Sequence, residues 1–176
     1  LRSKKQYMEQ QKIKDMVERI GIVCDKDGMP PLAGRMIGFF MLAEPPHKTF
    51  DELAEFLQAS KSAISTTLRF LEGQGMVEYI TFSGDRKRYF RLSVESWGKV
   101  IMGKMDFLKM MRDRVAMVLE TRSNTYPEFN LGLQSMHALY NIFLDGMPLL
   151  MDKWHEKVKE LKAESNNASS QNLDAS

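Results

Sequence analysis

The chain has 176 residues, 43% apolar and 27% charged, enough for one domain with a core and additional helices. No run reaches the roughly 18 uninterrupted apolar residues of a membrane span, no secretion-signal pattern opens the chain, and a lone cysteine, Cys24, excludes an internal disulfide framework and a multi-cysteine zinc site; the expected compartment is the cytoplasm. A net charge of +2 names no partner, because a nucleic-acid binder needs its positive charge concentrated locally.

Four regions follow in chain order. Residues 1–31 are expected to form a helix and a loop. Tyr7, Ile13, Met16, Val17 and Ile20 recur at helical steps between Gln6 and Ile20. "CDKDGMPP" then carries turn chemistry at Asp27-Gly28 and Pro30-Pro31.

Residues 32–93 read as one compact domain. "LAGRMIGFFMLA" is a buried helix stopped by Pro45-Pro46. In "TFDELAEFLQA", Thr49 is the N-cap and Glu52, three residues on, completes a capping box. Leu53, Phe56 and Leu57 supply the apolar stripe. Ser60 caps the next helix, Ile64, Leu68 and Leu71 turn inward, and Gly75 is the left-handed stop. "MVEYITFSGDRKRYFRLS" has β-branched and aromatic residues on both sides of Ser83-Gly84-Asp85, the pattern of a hairpin.

Residues 94–163 are expected to be dimerisation helices. Val94, Trp97, Ile101, Met105, Leu108, Met111, Val115 and Val118 step by three or four, over more length than a small domain needs. After "RSNTYPEFN", Met136, Leu139, Tyr140, Phe143 and Leu144 form one stripe. Gly146 and Pro148 are expected to break it, and Leu150, Met151, Trp154, Val158 and Leu161 resume it. Residues 164–176, polar and poor in apolar side chains, are expected to be disordered. Fourteen methionines read as flexible core filler or as an adaptable ligand pocket or interface.

The second region has winged helix-turn-helix order: helix, short turn, helix, hairpin. The fold class is mainly α with a small β-hairpin, flanked by dimerisation helices. The second helix of the pair points Lys61, Ser62, Ser65, Thr66 and Arg69 away from the core. Short hydroxyl side chains admit a helix to a duplex major groove and bond phosphates or base edges; arginine takes guanine with two hydrogen bonds. The wing tip adds Arg86, Lys87 and Arg88, with Asp85 expected to hold the tip arginine by an ion pair. From Gln58 to Leu92 six cations face three carboxylates, a local +3 against +2 for the whole chain. A wing-tip cation can enter a minor groove or grip the backbone. The expected partner is double-stranded DNA; the rival reading is a winged-helix module for protein contacts without DNA binding.

The stretch from "PPLAGRMIGFFMLAEPP" through "DELAEFL" and "SKSAISTTLRFLEGQGMV" to "GDRKRYFRL" resembles the MarR superfamily of prokaryotic winged-helix regulators, most of all its GbsR-like branch. The resemblance implies a homodimer joined by the N- and C-terminal helices. It implies operator binding through Ser62, Ser65, Thr66 and Arg69 and through Arg86 and Arg88. It further implies control by a small-molecule effector in a crevice between the dimer helices and the winged domain. It makes a quaternary ammonium ligand a candidate, and because such cations favour aromatic faces, Trp97, Tyr126 and Tyr140 are candidate effector residues.

Other chemistry is sparse. His47, His137 and His155 stand apart, with no second ligand at metal spacing. No nucleophile constellation or phosphate loop is readable, so neither an enzyme, a metal nor a cofactor is expected. Cys24 offers a redox-sensing alternative, which neighbouring Asp25 and Asp27 disfavour by raising its pKa.

Overall fold

A computed structural model describes residues 2–173. It divides into two compact units, Leu1–Val100 and Ile101–Ser176. In the first, α1 (Arg2–Lys26) runs six residues past Ile20 and takes in Cys24, and the loop shortens to a turn at Gly28 (φ +84°). Of the stripe expected on α1, Val17 is buried and Met16 exposed; the Tyr7 side chain lies outside the described residues. Pro31 opens α2 (Pro31–Leu42), where its missing amide costs nothing.

Seven of the twelve residues of α2 are buried: Ala33, Gly34, Met36, Ile37, Gly38, Phe39 and Phe40. This helix is the centre of the core. Val17 of α1 meets it from one side, and Leu53, Ile64, Leu68, Leu71, Val77 and Phe90 complete the cluster.

Next come β1 (Lys48–Thr49), α3 (Phe50–Leu57), α4 (Lys61–Gly73), β2 (Val77–Ile80) and β3 (Tyr89–Leu92). The hairpin is there, with Val77 opposite Leu92 and Ile80 opposite Tyr89. A two-residue strand that alternation could not announce, β1, pairs antiparallel on the other edge of β3, giving sheet order β1-β3-β2. The fold is the winged helix-turn-helix, mostly helical with a small three-stranded antiparallel sheet.

A 3-10 turn (Val94–Ser96) leads into α5 (Trp97–Thr121). In the second unit Val115 is buried, while Val118 and Ile101, expected on the same stripe, are exposed. Two expectations are corrected in α6 (Pro127–Leu173), a helix of 47 residues. The helix does not break at Gly146-Pro148; it carries Pro148 inside it. A proline forfeits one backbone bond and crowds the carbonyl four residues back, a local penalty that the long helical arms on both sides outweigh. Residues 164–173, expected to be disordered, continue the helix; residues 174–176 lie outside the described residues.

Candidate nucleic-acid interface

The helix pair is set by its caps. Thr49 Oγ1 accepts from the Glu52 amide at 3.3 Å, and Glu52 Oε2 accepts in return from the Thr49 amide and hydroxyl, each at 2.7 Å. Burial works to raise the Glu52 pKa, but the two Thr49 bonds, with Lys48 and His47 nearby, outweigh it and hold the carboxyl below its usual range. α3 ends at Gln58, which adopts the left-handed conformation at φ 50°, a position glycine normally fills. Ser60 then caps α4, its Oγ accepting from the Ala63 amide at 3.2 Å.

α4 separates into two faces. Ile64, Thr67, Leu68 and Leu71 are buried. Lys61, Ser62, Thr66 and Arg69 are exposed and Ser65 is half-buried, all on the outer side that the sequence assigned to them. Arg69 donates weakly to its own helix at the Ser65 carbonyl, 3.4 Å, and Lys61 pairs loosely with Asp51 at 3.5 Å. Phe70 is also exposed beside Arg69, an aromatic that helical spacing alone did not single out.

In the wing, Arg86, Lys87 and Arg88 are all exposed. The Arg88 guanidinium stands 5.3 Å from the centre of the Tyr79 ring. Arg91, the fourth wing cation, pairs with its cross-strand neighbour Glu78 at 2.7 Å. The expected Asp85 ion pair to the tip arginine is corrected. Asp85 accepts instead from the Tyr89 hydroxyl at 2.7 Å and the Lys87 amide at 2.9 Å. These two bonds, in that order, hold its carboxyl below the usual range, and the same bond raises the Tyr89 pKa. Tyr89, Phe82 and His47 form a ring cluster with centroids about 5 Å apart. No motif announced it, since His47 lies far from the other two in sequence.

Two clefts border this domain. One, about 870 Å³, lies between the start of α3, the Ser65–Arg69–Glu72 side of α4 and Lys87–Phe90 of the wing. The other, about 920 Å³, has an apolar floor of Ile13, Met16, Phe39, Leu42 and Phe56. There Phe39 and Phe56 stack at 3.8 Å between ring centres. Glu9, Glu44, Glu52 and Glu55 line it together with Lys12, Lys14 and Lys48. Trp97, Tyr126 and Tyr140 line neither cleft. Trp97 sits half-buried in the first unit; in the second, Tyr126 is exposed and Tyr140 half-buried.

Cys24 is half-buried, and its thiol pKa is raised, first by burial and then by the charge of Asp27. Such a thiol is a poor nucleophile at neutral pH. Among the described residues no group of three His, Cys, Asp or Glu is placed to hold a metal ion, and no helix is long and apolar enough to cross a membrane.

Residues 40–79, which hold α3 and α4, match the family described as bacterial regulatory protein, arsR family. The chain is 28% identical over 127 residues to the HTH-type transcriptional regulator MmpR5 of Mycobacterium tuberculosis, covering 72% of this chain and 77% of that one. A crystal structure described as a transcriptional regulator superposes with a TM-score of 0.68 at 25% identity, over 82% of this chain and 99% of that chain.

Proposed function

We propose that this chain is a DNA-binding transcriptional regulator that acts as a homodimer on a pseudo-palindromic operator. One observation carries the reading: α4 buries Ile64, Leu68 and Leu71 on one side and presents Lys61, Ser62, Thr66 and Arg69 to solvent on the other. Ordinary surface helices carry mixed carboxylates and cations; the first three turns of this one expose hydroxyls, two cations and Phe70, and no carboxylate. α4 enters the major groove, with Ser62, Ser65, Thr66 and Arg69 toward base edges and Lys61 on phosphate. Arg86, Lys87 and Arg88 of the wing take the adjacent minor groove and backbone. The similarity to MmpR5 and to a solved transcriptional regulator supports this assignment. The motifs from Pro30 to Leu92 favour the MarR superfamily and its GbsR-like branch.

The dimer is supported by apolar side chains left in water. On α6, Leu139, Ile142, Phe143, Leu149, Leu150 and Trp154 are all exposed, at helical spacing along one stripe. A stripe this long is covered in a stable protein, and a second copy supplies the same surface by two-fold symmetry. Residues 32–93 act as the DNA-binding domain, and residues 1–31 and 94–163 as the dimerisation segments. For the effector, the cleft floored by Phe39 and Phe56 is favoured over a site of Trp97, Tyr126 and Tyr140, which line neither of the two clefts described above.

The test is a mobility-shift titration with DNA from around the chain's own coding region, at two salt concentrations, with and without choline-like compounds. A shift that weakens about 10³-fold or more from low to moderate salt, for a dimer making about ten phosphate contacts, is expected. A folded, dimeric protein that shifts no duplex at either salt would turn the reading to the protein-contact module.

A further inference from the structure

Every residue of the wing tip, 81–88, is exposed, and the tip carries Arg86, Lys87 and Arg88, the wing cations of the reading above. A tip of this kind, left to itself, samples many conformations and delivers no cation to a fixed place. Here it is tied at two levels. Asp85 turns back on its own loop: its amide donates to the Phe82 carbonyl at 3.0 Å, one carboxylate oxygen takes the Lys87 amide and the other the Tyr89 hydroxyl. Gly84, at φ +83°, makes that reversal possible.

The second tie leaves the hairpin. His47 stands immediately before β1, whose Thr49 pairs with Tyr89. Its ring lies 4.9 Å from Phe82 and 5.1 Å from Tyr89, edge-on to the latter at 90°, while Phe82 and Tyr89 meet at 5.1 Å. These are favourable aromatic geometries. Phe82 is an exposed phenylalanine on a loop, which is costly unless it packs against something. The three rings join the segment after α2, the rising arm of the wing and its returning strand.

We infer that His47 and Tyr89 are positioning residues for the wing: through Phe82 and Asp85 they hold Arg86 at the place where the duplex is met. The inference rests on the DNA-binding reading. Neither residue needs to touch DNA.

The test is a double-mutant cycle on the 176-residue chain. Tyr89→Phe keeps the ring and removes only the hydroxyl that Asp85 takes. His47→Ala removes the third ring, and His47→Phe restores one. Tyr89→Phe, His47→Ala and Arg86→Ala are each expected to weaken duplex binding about three- to tenfold and to lower the salt slope. In an Arg86→Ala background the first two are expected to add almost nothing, because they act through that residue. His47→Phe is expected to bind close to wild type. Losses that add in full to that of Arg86→Ala, or variants that bind with wild-type affinity and slope, would overturn the inference.

Amide hydrogen exchange separates this from failure of the DNA reading. The Lys87 amide is expected to be protected in the wild type and to lose protection in Tyr89→Phe. If the wild type shifts no duplex, the functional reading falls, and Lys87 exchange alone then decides whether the tie orders the tip. A Lys87 amide unprotected in the wild type would sink the tie itself.

Discussion

A β-carbon placed on Gly34 would stand 2.6 Å from the Cβ of Cys24 and 3.1 Å from the carbonyl oxygen of Gly21. One turn on, a β-carbon on Gly38 would meet Ile20 at 3.2 Å. The backbones of α1 and α2 therefore approach more closely than any side chain allows, and α1 is seated on the winged domain by the absence of atoms.

Gly34→Ala is expected to destabilise the protein by about 1–3 kcal/mol, since neither a Cβ nor a backbone carbonyl can swing aside. Gly103, inside α5, has nothing within 4 Å of the same imaginary atom. Gly103→Ala is expected to stabilise by about 0.5–1 kcal/mol through the ordinary helix preference for alanine. Denaturant midpoints of the two variants should move in opposite directions; a shared direction would contradict the close approach.

The same contact bears on the thiol. Because burial and Asp27 raise the Cys24 pKa, less thiolate is present at neutral pH than in an open chain. Iodoacetamide is expected to label Cys24 several-fold more slowly in the folded protein than in urea. Faster labelling of the folded form would revive the redox-sensing alternative.

The two faces of α4 should separate experimentally. Leu68→Ala empties a buried site and is expected to cost about 2–5 kcal/mol. Arg69→Ala, on the outer face, should leave stability within about 0.5 kcal/mol. As a base-edge contact, its loss should cost about 1–3 kcal/mol of operator binding and relax sequence preference, whereas Lys61→Ala, at a phosphate, should lower the salt slope by about 1. Thermal melts and binding at a series of salts read both effects.

The capping box predicts a pH dependence. Glu52 has its pKa lowered in the folded state, so it binds its proton less tightly there than in the unfolded chain. Its contribution is therefore complete above the unfolded carboxylate pKa of about 4.3 and is lost as pH falls through the lower folded value. Thr49→Ala should cost about 1 kcal/mol at neutral pH. That cost should shrink on acidification below about pH 4. A difference in melting temperature that stays constant down to pH 2 would show the box is not coupled to Glu52 ionisation.

Local chemistry made much of this fold legible. A cap needs only its own residue and one three positions on, so Thr49–Glu52 and Ser60 were readable, as was the inward run Ile64, Leu68, Leu71. What escaped depends on partners remote in the chain. Two residues, Lys48 and Thr49, show no alternation, and β1 exists only because β3 offers a free edge. Asp85 sits beside Arg86, yet an oriented hydroxyl on Tyr89 and a backbone amide fit its two oxygens better than a long arginine in water. Pro148 reads as a stop by local rule, and only the helical length around it overrides that rule. The outer residues of α4 were assigned from helical period, while the His47–Phe82–Tyr89 cluster follows no period.

Gln58, Ala59 and Ser60 fix the angle between α3 and α4 with backbone bonds and a cap, and the buried side of α4 is satisfied without help from its outer side. The outer positions are thus interchangeable parts on a fixed mount. On the DNA-binding reading proposed above, replacing Ser62, Ser65, Thr66 and Arg69 together with the outward residues of a winged-helix reader is expected to transplant its base preference while the host keeps its core. Divergence among duplicated copies of such a chain could proceed the same way, by exchange of a few solvent-facing letters under an unchanged scaffold.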